Sequence, residues 1–219
     1  MISRNKIDKI HSEVPPHYYE KSIKKNRYQR WWHNKRFKLI LDMIPKNFKG
    51  KRYLDVGCNG CLFMEKVAKK MGNVEAYGVD ISKPSIEYAK KKYPHFKTQV
   101  ADCHNLPYKN NFFDFITCFE VIEHVINPKK VIGEMQRCLK KEGELIILVP
   151  NENLLFEIIW FFWTKLGRGK VWNNTHVNQI KMTNLEEILQ NKGFEIIKTV
   201  ESHFSLLKAV KAKLVDNNL

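Results

Sequence analysis

The stretch Tyr53-Leu54-Asp55-Val56-Gly57-Cys58-Asn59-Gly60-Cys61 carries a short apolar run into a turn of small or permissive residues, and a helical pattern begins at Leu62. A buried strand, a tight turn and a helix in that order are the opening unit of a doubly wound α/β fold. Gly57 and Gly60 let the backbone approach a ligand, and Asn59 tolerates the left-handed region better than most side chains. Further on, Asp80 ends a second run, Tyr77-Gly78-Val79-Asp80-Ile81. An acid at that place can hold the two ribose hydroxyls of an adenosine. The spacing of a dinucleotide turn, GxGxxG, is not met by Gly57-Cys58-Asn59-Gly60-Cys61-Leu62, which argues against a nicotinamide enzyme.

Outward from this turn the chain alternates. Runs rich in Val, Ile, Leu, Phe and Tyr at 52–56, 74–81, 96–101, 113–119, 144–149 and 194–200 are predicted strands, and 62–71, 83–92, 129–140 and 184–192 carry helical periodicity. The expected fold is α/β, a doubly wound and mostly parallel sheet covered on both faces, with its ligand crevice at the carboxyl ends of the strands. Residues 1–20 are polar, contain Pro15-Pro16 and read as a loosely docked arm. From 18 to 44, Tyr28, Trp31, Trp32, Lys35, Phe37, Ile40, Leu41 and Ile44 recur at spacings of three and four, predicting one amphipathic leading helix.

With 219 residues the chain suits one domain, divided here into a basic arm and leading helix (1–50), a cofactor-binding core (51–150) and an acceptor lid with the C-terminal part (151–219). No apolar run approaches the roughly 20 residues that cross a bilayer, and residues 1–6 lack the apolar stretch of a secretory signal. A cytoplasmic setting is expected. The five cysteines fit reduced thiols, and Cys58 and Cys61 form a lone CxxC with no second pair to complete a zinc set. The formal charge is +15, and over residues 1–52 Lys and Arg outnumber Asp and Glu by 15 to 4. A basic block of this kind attracts nucleic acid, anionic lipid or a phosphorylated substrate, or is simply a solvated helix face.

Three more segments complete an ordered series: Ala101-Asp102-Cys103-His104-Asn105-Leu106-Pro107-Tyr108 after the third strand, Phe119-Glu120-Val121-Ile122-Glu123-His124-Val125 at the end of the fourth, and Leu139-Lys140-Lys141-Glu142-Gly143-Glu144 before the fifth. With the first turn and Asp80, the series resembles the class I S-adenosylmethionine-dependent methyltransferases, especially the small-molecule subgroup that includes the ubiquinone-biosynthesis O-methyltransferases. The resemblance covers about residues 28 to 200 and implies S-adenosylmethionine as cofactor. It implies that Asp55, Gly57, Cys58, Asn59 and Gly60 shape the methionine-binding turn, and that Asp80, followed by Ile81, holds the ribose. Asp102 then accepts from the adenine amino group with the Cys103 N–H facing a ring nitrogen, Phe119 and Glu120 border the sulfonium, and Arg36 meets the methionine carboxylate. The family turn usually has glycines where Asn59 and Cys61 stand here.

The missing part is a base for the acceptor. His124 lies just past the fourth strand, where a near-neutral imidazole can take a hydroxyl proton. Glu120, Glu123 and His124 also match an element associated with a divalent cation in the ubiquinone-type enzymes; the reading adopted is a simple base, with no metal. His176, before the Met182-Thr183-Asn184-Leu185-Glu186 segment, is the second candidate, with Thr183 as helix cap and Glu186 completing a capping box. Residues 154–163 hold nine apolar side chains in ten, followed by Gly167-Arg168-Gly169-Lys170; a buried helix, a lid over an apolar substrate and a segment at a membrane interface all suit them. The expected function is methyl transfer to a small-molecule or lipid-linked acceptor, at oxygen, with peripheral contact to an anionic membrane. An RNA methyltransferase is the rival that explains the charge, but no added RNA-binding module is visible and nucleic acid is the weaker partner. A non-catalytic scaffold on the same fold is the rival from another class.

Overall fold

The computed structural model describes residues 15–45, 48, 52–151, 161, 182–202 and 205–215. Two helices open it, α1 (Tyr18–Lys25) and α2 (Arg27–Leu41). The single leading helix expected over 18–44 is broken at Asn26. Its extended backbone (φ −133°, ψ 122°) lets the side chain accept from the Tyr28 and Gln29 N–H groups at 2.9 and 3.2 Å. An Asn cap of this kind is worth about 1 kcal/mol, enough to favour a fresh helix start over continuation. The expected apolar stripe also splits. Phe37, Ile40 and Ile44 are buried, whereas Tyr28 and Trp31 are 60% and 40% exposed.

The strands are β1 (Arg52–Val56), β2 (Glu75–Asp80), β3 (Lys97–Val100), β4 (Phe113–Phe119), β5 (Leu139–Pro150), β6 (Phe194–Ser202) and β7 (Leu207–Leu214). Helices α3 (Leu62–Met71), α4 (Lys83–Lys92), α5 (Pro128–Cys138) and α6 (Met182–Gln190) connect them. One sheet results, ordered β3-β2-β1-β4-β5-β7-β6. β1 to β5 pair in parallel, and β7 pairs antiparallel with both β5 and β6. The mostly parallel sheet is as expected. The seventh strand is not, and β5 starts five residues earlier than the sequence predicted, at Leu139.

Strand alternation divides the core between the two faces. Leu54, Ile116, Leu145 and Ile147 pack on one side with Val131, Ile132 and Met135 of α5 and Leu185 and Leu189 of α6. Tyr53, Phe115, Ile146 and Leu148 pack on the other with Ile40 of α2, Met64 and Val67 of α3 and Ile86 of α4. Each such side chain, fully buried, contributes about 1.5–3 kcal/mol, so both helical layers are held by the sheet. Between β1 and β4 the strand order reverses, and that reversal opens a crevice at the carboxyl ends.

Among the described residues no helix is long and apolar enough to cross a membrane. The apolar insertion at 154–163 lies outside the described residues except for Phe161, which is 56% exposed; His176 and residues 167–170 also lie outside. Helix α6 begins at Met182, which puts Thr183 inside the first turn rather than at its cap. Glu186 accepts from Thr199 Oγ1 at 2.9 Å and from Lys208; the Thr183 side chain of the expected capping box lies outside the described residues.

Candidate functional site

The turn after β1 is pinned to β2. Val79 O accepts from the Gly57 and Cys58 N–H groups at 2.8 and 3.0 Å. Gly57 has φ +77°, and a Cβ there would lie 2.2 Å from Val121 Cγ2, so both conformation and space demand glycine. Asn59 (φ 45°) and Cys61 (φ 64°) are left-handed as well. Asn59 tolerates that region, while Cys61 carries a cost of about 1–2 kcal/mol where the family usually has glycine. Cys58 and Cys61 are buried free thiols; hydrogen bonding between them, then burial, push the Cys58 thiol well above its ordinary range. That is the opposite of a reactive or metal-binding pair.

Three aspartates stand at the carboxyl ends of the strands, Asp55 within β1, Asp80 closing β2 and Asp102 just past β3. Asp80 Oδ2 accepts from Asn59 N and Oδ1 from Ser82 N, both at 2.8 Å, so this carboxyl couples the turn to the start of α4. Asp55 is buried and its Oδ1 accepts from Thr117 Oγ1 at 2.6 Å; Thr117 Oγ1 in turn lies 2.7 Å from Tyr53 Oη. Burial pushes the Asp55 carboxyl up to about 7 against the help of Thr117. Asp102 Oδ1 accepts from His104 N at 2.9 Å and lies 2.8 Å from His104 Nδ1. The loop that carries Asp102 is clamped from α5: Arg137 donates to Tyr108 O and Leu106 O at 2.7 and 2.9 Å, while Glu134 accepts from Leu106 N at 2.8 Å.

Past β4, Glu120 takes a left-handed backbone (φ 55°) and pairs with Arg36 from α2. Arg36 is 2% exposed, stacked between Tyr19 and Phe63 with its guanidinium carbon 5.1 and 4.5 Å from their ring centres. Its Nε and Nη2 are buried with no hydrogen-bond partner among the described residues. Val121 leads into a single turn, Ile122–His124, where His124 Nε2 lies 3.9 Å from Oε1 of buried Glu123.

One cavity gathers these groups. It is lined by Asp55, Gly57, Cys58, Asn59 and Gly60 of the first turn, Asp80 and Ile81, Asp102 and Cys103, then Phe119, Glu120 and His124. Arg36 is not on its wall; it stands behind Glu120, Tyr19 and Phe63, held by its partly buried ion pair with Glu120. Pro16, Tyr19 and Glu20 line the cavity too, so the start of the described chain, read from sequence as part of a loosely docked arm, is the cavity's cover. Only the aromatic pair Tyr18-Tyr19 in that polar stretch hinted at it. The lining holds five carboxylates (Glu20, Asp55, Asp80, Asp102 and Glu120) and no lysine or arginine among the described residues, in a chain of net charge +15.

Among the described residues, donor atoms that gather within 4.8 Å of one another as a metal set would are those of Asp102, Cys103 and His104, not those of Glu120, Glu123 and His124. His104 Nδ1 is engaged by Asp102, and Nε2 accepts from Asn127 N at 3.3 Å, so its ring has no nitrogen left for an ion.

The profile of the methyltransferase domain family matches residues 27–199. A ubiquinone biosynthesis O-methyltransferase of Coxiella burnetii is 31% identical over 183 residues, covering 79% of this chain and 75% of that protein. One of Dechloromonas aromatica is 34% identical over 151 residues, covering 59% of this chain and 63% of the relative, so the match spans less than two thirds of that protein's length. Magnesium protoporphyrin IX methyltransferase from Synechocystis, solved with bound SAH, shares the fold at TM-score 0.71 and 16% identity, over 96% of this chain and 99% of its own. A sheet reversing between β1 and β4, an acid-lined cavity at that reversal and a family match over most of the chain agree: the chain belongs to the methyltransferase domain family, as a class I S-adenosylmethionine-dependent methyltransferase.

Proposed function

We propose that this protein transfers the methyl group of S-adenosylmethionine to a hydroxyl oxygen of a small or lipid-linked acceptor at the His124 end of the cavity. The cofactor supplies a methyl group on a sulfonium, an electrophile that needs alignment more than activation. The residues present suit it. Carboxylates along the wall complement a ligand with an ammonium, a sulfonium and a ribose diol. Arg36 keeps two buried donors that suit the ligand's carboxylate once the guanidinium leaves its place behind Glu120 and reaches the cavity. In this reading Asp80 with Ile81 takes the ribose, Asp102 and the Cys103 N–H take the adenine, and Phe119 and Glu120 border the sulfonium. The turn from Asp55 to Gly60 holds the methionine part. The division into leading helices (1–50), cofactor core (51–150) and acceptor lid (151–219) belongs to the same proposal.

The observation that carries it is His124. It stands on the same cavity as the three aspartates, with the buried Glu123 carboxyl 3.9 Å from its ring. A carboxylate at that distance favours the imidazolium formed when the ring takes the acceptor's proton. His176 is the second candidate for this work. That the relatives are O-methyltransferases supports oxygen as the atom methylated.

A lipid-linked acceptor and an anionic membrane surface are favoured by the outer face of α2. Arg27, Tyr28, Trp31, Lys35 and Lys38 recur there at spacings of three and four, all exposed, with Lys35 Nζ 4.7 Å from the Trp31 ring centre. Each such cation adds about 1 kcal/mol toward an anionic surface. The test is transfer of labelled methyl from the cofactor to lipid, small-molecule and RNA fractions. Label in a hydroxyl-bearing lipid or small molecule is expected, and label confined to RNA would overturn the reading. Flotation with anionic vesicles checks the surface: binding that falls with salt and with Trp31→Ala is expected, and no binding would remove the membrane from the proposal.

A further inference from the structure

Below the cavity a hydrogen-bond chain runs from β1 to β4 and back. Tyr53 is fully buried, its hydroxyl 2.7 Å from Thr117 Oγ1, and Thr117, also fully buried, donates to Asp55 Oδ1 at 2.6 Å. Thr117 has one proton and spends it on Asp55, so Tyr53 is the donor to Thr117. β1 and β4 pair in parallel with Asp55 opposite Thr117, which fixes the two side chains against each other. Asp55 itself lines the cavity, and no hydrogen bond from the described residues reaches its Oδ2.

We propose that Thr117, held in turn by Tyr53, is a positioning residue for the cofactor: it orients Asp55 with one oxygen toward the cavity, and Asp55 releases a proton when the cationic methionine end binds there. The inference rests on reading the cavity as the cofactor site and goes on to assign a proton to its loading. In the step, the O–H bond of the Asp55 carboxyl breaks, the proton passes to solvent, and the carboxylate remains opposite the bound cation. Of the charged and hydrogen-bonding groups that face Asp55, the Asp80 carboxyl favours the acid and the Thr117 hydroxyl the carboxylate, while the thiols and the phenol beside it stay neutral. From β2 comes the Asp80 carboxyl; from the turn, the buried Cys58 thiol; from β4, the Cys118 thiol; and from β1, the Tyr53 phenol. None of these brings a positive charge. Burial holds the carboxyl up at about 7, so near neutrality an appreciable share of the protein carries the proton until a cation arrives.

The test is calorimetric titration of the full chain with S-adenosylmethionine in buffers of different ionisation enthalpy, between about pH 5.5 and 7, where the ligand's own amine stays charged. Wild type should release about half a proton per site near pH 7, rising toward one at about pH 5.5, with affinity falling up to tenfold per pH unit over the same range. Asp55→Asn should bind with no proton release, while Asp80→Asn should keep it toward pH 5.5 and reduce it near pH 7, where the Asp80 charge no longer favours the Asp55 acid. Thr117→Val should raise release at pH 7 toward one proton and weaken binding there severalfold; Thr117→Ser should restore both. Binding by wild type without proton release, release that follows Asp80 instead of Asp55, or a Thr117→Val profile superimposable on wild type would each overturn the proposal and leave the cofactor site standing. No binding of the cofactor at any pH would overturn the site reading itself.

Discussion

Replacing Asp55 with Asn should make the ligand-free protein more stable, by an amount that grows with pH. Asp55 is an acid whose folded value, about 7, lies above its ordinary 3.8 because burial penalises the charge. The folded protein therefore holds this proton more tightly than the unfolded chain does. Its contribution is fully present below about pH 3.8, is lost as pH rises through the interval to about 7, and is absent above that. At about 1.36 kcal/mol per pH unit, the loss amounts to about 4 kcal/mol, a large share of the 5–15 kcal/mol that holds a domain together. Asn never ionises and still offers Thr117 a carbonyl oxygen, so the variant escapes the loss. Urea unfolding followed by tryptophan fluorescence, at steps from about pH 4 to 8, measures the difference. The gap between variant and wild type should open with pH and level off above about 7, at up to about 4 kcal/mol. A gap that stays constant across the range would refute the argument, since it would mean that Asp55 titrates alike in the folded and unfolded chains.

Asp80→Ala should weaken S-adenosylmethionine binding by roughly 1–3 kcal/mol, two hydrogen bonds at about 0.5–1.5 each, in a protein that still folds; unchanged affinity by calorimetry would remove Asp80 from the ribose site. Gly57→Ala should abolish cofactor binding, because the new Cβ meets Val121 Cγ2 at 2.2 Å on a backbone at φ +77°; adding Val121→Ala should recover part of it, and full binding by the single variant would contradict the close approach. His124→Asn should lower kcat by about 10²–10⁴ with cofactor affinity nearly unchanged, as expected of a base that acts on the acceptor. A chelator should leave activity intact; activity abolished and then restored by Mg²⁺ or Zn²⁺ would make Glu120, Glu123 and His124 a metal set instead.

The fold was legible where the sequence repeats a physical rule. Alternating β-type and helical runs announced the parallel half of the sheet, and the cavity residues that follow β1, β2, β3 and β4 stand where strand ends bring them together. β7 was hidden because Leu207-Lys208-Ala209-Val210-Lys211-Ala212-Lys213-Leu214 mixes Ala and Lys, helix formers with no strand period of their own. It is a strand because β5 and β6 pair with it on both sides and because Glu186 and Glu144 take up the ammonium groups of Lys208 and Lys211. The break at Asn26 was missed because apolar spacing runs through it, although an Asn ahead of Arg27-Tyr28-Gln29 is itself a start signal. Arg36 could be picked out by residue type, but its pairing with Glu120, 84 positions away, follows only from the packing of α2 across the end of β4.

The place of β7 also bears on when the molecule can be completed during synthesis. β6 leaves the ribosome first yet, among the described residues, pairs only with β7, and β5 has β7 as its outer neighbour. Until translation has passed Leu214, one edge of β5 and both edges of β6 expose unmatched N–H and C=O groups on strands made earlier. The parallel half, β1 to β5 with its helices, can assemble while the remainder is still being made; the outer pair must wait and then insert in inverse order. A nascent chain stalled between Ser202 and Leu207 therefore presents an open sheet border, the kind of surface that holdase chaperones cover and that joins stalled chains to one another.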